Sequence, residues 1–166
     1  MYAIACIDKN NGIGNNGNLL ISIPDDMRFF RETTKDSIVI MGRKTLFSFK
    51  NKEPLKNRIN IVFTNNVNLK NEYKDFDNIY FINDITELNS ILDKYKDKKA
   101  FVIGGEKIYN GLIDLCDTVY ITQLYKEFDA DTFFPDLTKH GFKMVESSEI
   151  KTYEDINYNF ITYKKL

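Results

Sequence analysis

The sequence predicts an α/β protein with a central, mainly parallel sheet, helices on both faces and an antiparallel edge at the C-terminal end. Three observations predict this. Short apolar runs alternate with helical segments through the first two thirds of the 166 residues, the order that places covering helices between parallel strands. Several of those runs are almost continuously apolar, as strands buried on both faces are. The last two runs instead alternate apolar and polar residues, as half-buried antiparallel strands do.

Tyr2-Ala3-Ile4-Ala5-Cys6-Ile7 is the first buried strand. A glycine-rich turn follows, and residues 15–23 read as loop. Pro24 opens a helix to about residue 34, since a residue without an N–H suits the first turn. Residues 37–41 form a second buried strand, and Gly42-Arg43-Lys44-Thr45 turns into a short helix ending near Phe49. Residues 51–57, with Pro54, are a polar loop. Ile59-Asn60-Ile61-Val62-Phe63 is the third strand, and residues 67–77 read as polar and irregular. Residues 79–82 form a fourth strand. Residues 84–95 form an amphipathic helix with Ile85, Leu88, Ile91, Leu92 and Tyr95 on one stripe. Residues 99–103 are a fifth strand that runs into Gly104-Gly105 and a helix over 106–113. Residues 118–124 are the sixth strand, and 142–150 and 158–163 make the edge pair.

One domain is expected at this length. A hydrophobic content of 43% with 28% charged residues is ordinary for a globular protein, and a net charge of −1 offers no basic footprint for nucleic acid. Met1-Tyr2-Ala3-Ile4-Ala5-Cys6 has no basic leader and no run is long enough to span a bilayer, so a cytoplasmic protein without membrane partners is expected. Cys6 and Cys116 lack metal or redox spacing and read as small core residues. The single histidine, His140, beside Lys139 and Gly141, reads as a surface turn. The acidic-aromatic strip 128–134 has too few ligands for a metal loop.

The helix opened by Pro24 carries the most information. Asp26 shares a face with Phe29 and Phe30, whereas Asp25 leans toward Arg28 and Glu32. Both acids suit the positive end of a helix. A carboxylate on an apolar face also needs a partner, and it can bind a cationic ring or manage a proton. Gly12-x-Gly14-x-x-Gly17 has the spacing of a dinucleotide fingerprint, but no helix opens at Gly14 and no acid ends the second strand. Better phosphate sites are Gly42-Arg43-Lys44-Thr45 and Gly104-Gly105-Glu106-Lys107-Ile108-Tyr109, two strand-to-helix corners. Each is also a common structural corner; the pair is what a long diphosphate ligand needs. Arg58 is either a solvated charge or a clamp for a carboxylate. Thr122 alternates with Tyr120 and Leu124, and if that face is buried its hydroxyl needs a partner such as a carboxylate.

Taken in order, Ile4-Ala5, Gly12-Ile13-Gly14, Pro24-x-Asp26-x-x-x-Phe30, Ile40-Met41-Gly42-Arg43-x-Thr45, Arg58, Ile103-Gly104-Gly105-x-x-Ile108-Tyr109, Thr122 and Asp131-Thr132-x-Phe134-Pro135 resemble dihydrofolate reductase along essentially the whole chain. The resemblance implies a three-layer α/β fold on a mixed, mainly parallel sheet of eight strands. It implies NADPH-dependent reduction of 7,8-dihydrofolate to tetrahydrofolate by a monomer. Asp26 then corresponds to the pocket carboxylate that meets the pterin amino group and N3, with Thr122 supporting it. Ile4, Ala5, Met27, Phe30, Ser48, Phe49, Leu55 and Ile103 would line the folate pocket, and Arg58 would bind the α-carboxylate of the glutamate tail. Gly42, Arg43, Lys44, Thr45, Phe63, Thr64, Asn65 and Lys107 would serve the phosphates and adenosine end of NADPH. Cys6, Ile13, Gly14, Asn18, Leu19, Gly104, Gly105, Glu106, Ile108 and Tyr109 would complete that site, with Tyr109 near the nicotinamide and residues 10–23 as the closing loop.

The chain departs from the family's pattern where Leu20-Ile21 stands in place of Pro-Trp. Ile21 fills apolar space but donates no hydrogen bond, so an altered water network and loop closure are expected. Leu46 stands where an aromatic is common, as packing. Glu106 stands where a small residue is common, and its charge is expected to turn outward. A pyrimidine reductase of the riboflavin pathway would share the fold and cofactor but does not normally carry Pro-x-Asp-x-x-x-Phe. A non-catalytic folate- or nucleotide-binding module is the rival from another class.

Overall fold

The computed structural model describes all 166 residues. Strand β1 (Tyr2–Ile7) is followed by a hairpin of β2 (Gly12–Asn15) and β3 (Asn18–Leu19), then by helix α1 (Pro24–Thr34). β4 (Ile38–Gly42) leads into α2 (Arg43–Ser48). β5 (Ile59–Phe63), α3 (Leu69–Glu72), β6 (Ile79–Ile82), α4 (Ile85–Lys94), β7 (Ala100–Gly104), α5 (Glu106–Leu112) and β8 (Thr118–Leu124) continue the alternation. The short β9 (Thr132–Phe133) precedes β10 (Phe142–Ser147), β11 (Lys151–Tyr153) and β12 (Ile156–Lys165).

Eight strands lie in the order β10-β12-β8-β1-β7-β4-β5-β6, with β11 paired to β12. The six from β8 to β6 are parallel, and β12 and β10 are antiparallel additions at one edge. Both faces of the parallel part are covered, as the apolar runs require. Ile38 and Ile40 of β4 cluster with Leu88 of α4 and with Tyr109 and Leu112 of α5. Val39 and Met41, on the opposite face, cluster with Leu46 of α2, Leu69 of α3 and Tyr73. β7 enters between β1 and β4, and β8 adds on the other side of β1. The carboxyl ends of these four strands therefore border a switch in strand order, where open sheets place ligands.

Four expectations are corrected. Residues 15–23 are not all loop. β2 and β3 pair with each other, and β2 also pairs with β9, so that Gly12 faces Phe133 and Gly14 faces Thr132. This pairing is non-local, and glycine and asparagine carry no strand alternation to reveal it. Residues 67–77 hold a helical turn, α3, anchored by buried Leu69 and Tyr73 four residues apart. The stripe of α4 starts at Leu88, because Ile85 at the first helical position is exposed. Residues 142–150 are not one alternating strand. β10 ends at Ser147 and buries only Phe142, being an edge strand with a bulge between Met144 and Glu146.

Asp8 fastens the turn after β1 to the segment around Phe128. It is 1% exposed just beyond the end of β1. Its Oδ1 accepts from the N–H groups of Asn10 (2.8 Å) and Gly12 (2.7 Å), and its Oδ2 from that of Phe128 (2.9 Å). A side chain at Gly12 would begin 2.7 Å from the Ala130 Cβ and 3.0 Å from Asp8 Oδ1, so this approach requires glycine. Asp8→Ala strands three amides, and a loss of about 3 kcal/mol in urea unfolding is expected; a loss under about 1 kcal/mol would mean that water replaces the carboxylate.

Candidate active site

Pro24 occupies the first position of α1, and Asp25 and Asp26 fill its first turn. The two acids do different things. Asp25 accepts from Arg28 Nη2 (2.6 Å), the Tyr158 hydroxyl (3.0 Å) and Lys151 Nζ (3.3 Å). Burial pushes its pKa up, but these donors outweigh that and hold it below the usual carboxylate range. Asp26 turns into the cleft. Its Oδ1 accepts from the Thr122 hydroxyl at 2.5 Å, across 96 residues of chain. Burial raises its pKa, the bond from the Thr122 hydroxyl pulls it down, and the charge of Asp25 adds to the rise. Asp26 therefore holds a proton more readily than an ordinary aspartate.

The predicted apolar face of α1 is only half covered. Phe29 and Phe30 are partly exposed, Met27 is 40% exposed, and Thr34 alone is buried. Phe29 rests on Phe160 at 4.6 Å between ring centres. A helix that leaves such a face open beside a carboxylate lines a cleft rather than sealing a core. Phe49, Leu55 and Ile103 gather on the same side of the sheet, against the Val39–Met41 cluster, and Ile4 is buried while Ala5 is half-buried. Ser48 is exposed and its hydroxyl donates back to the Thr45 carbonyl.

Arg58 is held from three sides. Its Nε donates to Thr34 Oγ1 (3.1 Å), Nη1 to the Lys56 carbonyl (2.9 Å) and Nη2 to the Arg31 carbonyl (3.3 Å). No carboxylate of the protein pairs with it. Burial, then the neighbouring Arg31, lower its pKa, while Asp36 opposes them. An oriented, half-buried guanidinium without a counter-charge can take an anion from outside. Asn60 sets the loop that carries it. Fully buried, its side chain accepts from the Leu55 N–H (3.0 Å) and donates to the Leu55 (2.9 Å) and Arg58 (3.3 Å) carbonyls. The sequence reading passed over Asn60 and Asp8. Both had a signal, since a polar residue inside or just after a buried apolar strand must find partners.

At the other end of the cleft, two strand-to-helix corners meet. Gly42 and Gly105 stand before α2 and α5 and offer no side-chain cap, so the first amides of both helices lack a protein side-chain partner. A Cβ on Gly42 would press on Ile108 at 3.2 Å. Gly104 has φ +124° and its absent Cβ would lie 3.3 Å from the Tyr109 ring and 3.6 Å from Thr45 Oγ1; the Gly104–Gly105 peptide is cis. Tyr109 is buried, donates to the Ile4 carbonyl at 2.7 Å and meets Phe134 edge-on. Burial drives its pKa up, so its hydroxyl serves position rather than proton transfer. Arg43, Lys44 and Lys107 are exposed and in no ion pair.

A sequence model described as dihydrofolate reductase matches residues 1–165. The chain belongs to the dihydrofolate reductase family. It is 35% identical to a dihydrofolate reductase of Heliothis virescens, covering 100% of this chain and 96% of that protein. It is 33% identical to that of Bacillus subtilis, over 98% and 92% respectively, and 29% identical to that of Sus scrofa, over 99% and 97%. Membership makes it an NADPH-dependent oxidoreductase. The residues fit that cofactor: two helix starts without side-chain caps, glycines at both corners and three cations in no ion pair suit a chain of phosphates.

Other residues that the family resemblance pointed to make contacts of their own. In an exposed hydrogen bond, Glu106 Oε1 accepts from the Phe133 N–H at 2.9 Å and ties α5 to β9. Cys6 is half-buried and packs beside Ile23, Leu124 and Tyr158. Asn18 and Leu19 sit exposed at the tip of the hairpin, while Ile13 and Phe63 are half-buried against the main core. Thr64 accepts from the Asn66 N–H, and Asn65 is exposed. Ile21, in the tryptophan position, packs beside Ile23, Leu124 and Tyr158. A second hollow, lined by Lys56, Arg58, Lys98, Asp36 and Asp77, does not include Asp26.

Thr122→Val removes a donor to the charged form of Asp26, so the carboxyl pKa rises further. Because the folded-state pKa already exceeds the unfolded value, stability falls as pH rises from the ordinary carboxylate range through the folded pKa. The variant is expected to match wild type in acid and to be about 1–2 kcal/mol less stable above that window, measured by urea unfolding at several pH values.

Proposed function

We propose that the chain works as a cytoplasmic monomer of one domain, residues 1–166, and reduces 7,8-dihydrofolate to 5,6,7,8-tetrahydrofolate with Asp26 as the pocket carboxylate. No helix is long and apolar enough to cross a membrane. The observation that carries the catalytic assignment is the Asp26 carboxylate, raised in pKa by burial and held by Thr122 on the wall of a half-open apolar cleft.

Bound at the two corners, NADPH supplies the hydride. The protein must present the pterin ring to it and make N5 protonated as C6 is reduced. Asp26 accepts from the pterin amino group and N3 and holds the ring across the cleft. Phe30 and Ile4 hold its apolar faces. Asp26 need not reach N5, since water can deliver the proton. Other candidates are engaged elsewhere: the Tyr109 hydroxyl donates to Ile4, and His140 pairs with Asp114 at 2.8 Å. Arg58, already oriented by Thr34, takes the tail carboxylate, and Arg43, Lys44, Thr45 and Lys107 take the cofactor phosphates. Positioning the two rings face to face accounts for much of the remaining acceleration.

The test is NADPH loss at about 340 nm, the nicotinamide absorbance, with dihydrofolate. Asp26→Asn is expected to lose about 10²-fold or more in turnover at neutral pH while still binding NADPH. Arg58→Leu is expected to raise KM for dihydrofolate about tenfold or more at nearly constant kcat. Binding of both ligands by folded wild type without turnover would favour a binding module instead. Ile21→Trp restores an indole donor at the loop, and faster turnover is expected; a slower variant with intact fold would show that Ile21 does not limit the reaction.

A further inference from the structure

Asn-Gly occurs three times in the chain, at Asn11-Gly12, Asn16-Gly17 and Asn110-Gly111. Such a step is open to attack by the glycine nitrogen on the asparagine side-chain amide, because glycine puts no Cβ beside that nitrogen. The fold treats the three differently. Gly12 is buried, and its N–H donates to Asp8 Oδ1 at 2.7 Å. Asn110-Gly111 lies inside α5, where helical dihedrals are fixed and each N–H is engaged by the carbonyl four residues earlier. Asn16-Gly17 is the two-residue connection of the β2–β3 hairpin, between the paired Asn15 and Asn18. Positive φ at both residues, 50° and 79°, makes it the mirror-image turn that Asn-Gly favours. Both residues are exposed, no backbone carbonyl accepts from the Gly17 N–H, and nothing lies within 4 Å of where a Gly17 Cβ would stand. Asn16 is held through its backbone: its N–H donates to Asp131 Oδ2 (3.0 Å) and its carbonyl accepts from Asn18 Nδ2 (3.4 Å).

We propose that Asn16-Gly17 is a site of spontaneous deamidation at the hairpin tip, and that its conversion loosens the hairpin's hold on the segment around Asp131. The Gly17 nitrogen, once it has given its proton to hydroxide, forms a bond to Asn16 Cγ. The Cγ–Nδ2 bond breaks, the amide leaves as ammonia with a proton from water, and a five-membered imide closes. Water then opens the imide at either carbonyl, leaving aspartate or isoaspartate. The sum is one water taken up and one ammonia lost, with nothing oxidised or reduced. Either product places a carboxylate on the residue whose N–H is held by the Asp131 carboxylate, and like charges at this range repel. Isoaspartate also adds a carbon to the main chain of a turn whose two residues fix the register of Asn15 with Asn18. The step needs only water, and it does not depend on the chemistry assigned to Asp26.

The experiment follows the wild-type protein without ligand at mildly alkaline pH, in buffer and in concentrated urea. Peptide mapping by mass spectrometry gives the conversion rate at each of the three asparagines. In buffer, Asn16 is expected to convert about tenfold or more faster than Asn11 and Asn110, whose steps must wait for local opening. In urea the three rates are expected to converge. Equal rates in buffer, or the same ratios in urea as in buffer, overturn the inference, because the fold then does not select the site. Asn16→Ser keeps the backbone donor to Asp131 and lacks the amide. It is expected to lose the first acidic species on anion exchange, and persistence of that species at the wild-type rate overturns the assignment to Asn16. The converted wild-type fraction, isolated by its extra negative charge, is expected to show faster amide hydrogen exchange over residues 14–19 and 131–133. Unchanged exchange there overturns the loosening of the hairpin.

Discussion

The structure depends on one hydrogen bond, from Thr122 in β8 to Asp26 in α1. A carboxylate on the apolar side of a helix is costly to bury, and it persists there only with a partner. Supplying that partner from a strand 96 residues away couples the helix to the sheet. It also sets a proton affinity that burial alone would push further up. Asp25, one residue earlier, takes the opposite course. Three donors keep it charged, so one helix turn holds two carboxylates whose proton affinities shift in opposite directions.

Around that bond, the remaining polar residues hold backbone. Asp8 collects three amides and anchors the start of β2. Asn60 clamps the loop from Leu55 to Arg58. Glu106 joins α5 to β9, and β9 pairs with β2. The β2–β3 hairpin is thereby tied through β9 to the start of α5 at the Gly105 corner. The missing tryptophan sits within this arrangement, and Ile21 contributes packing there without a donor.

Much of this was legible in the residues because it rests on local chemistry. Pro24 with two acids marks a helix start wherever it occurs, and α1 runs over the residues that spacing indicates. Apolar runs such as Ile38 to Met41 announce strands covered on both faces, and the structure covers both. The alternation of Tyr120, Thr122 and Leu124 correctly posed the question of what the hydroxyl meets. The misses share one cause. β2 pairs locally with β3 and, across more than a hundred residues, with β9, and no periodicity records that. Asp8 and Asn60 look like ordinary polar residues until the amides they hold are brought to them.

By itself the sequence determined the α/β class, the order of its strands and helices, and the family, since these follow from patterns of hydrophobicity and from an ordered set of short motifs. The tertiary structure alone decided which of two adjacent aspartates meets Thr122, that Cys6 stands opposite Thr122 in the sheet, and that Glu106 bonds to β9. These are matters of register and approach between distant segments. A shift of one residue in the pairing of β1 with β8 would send Cys6 and Thr122 to the other face, and no local feature of the chain carries that information.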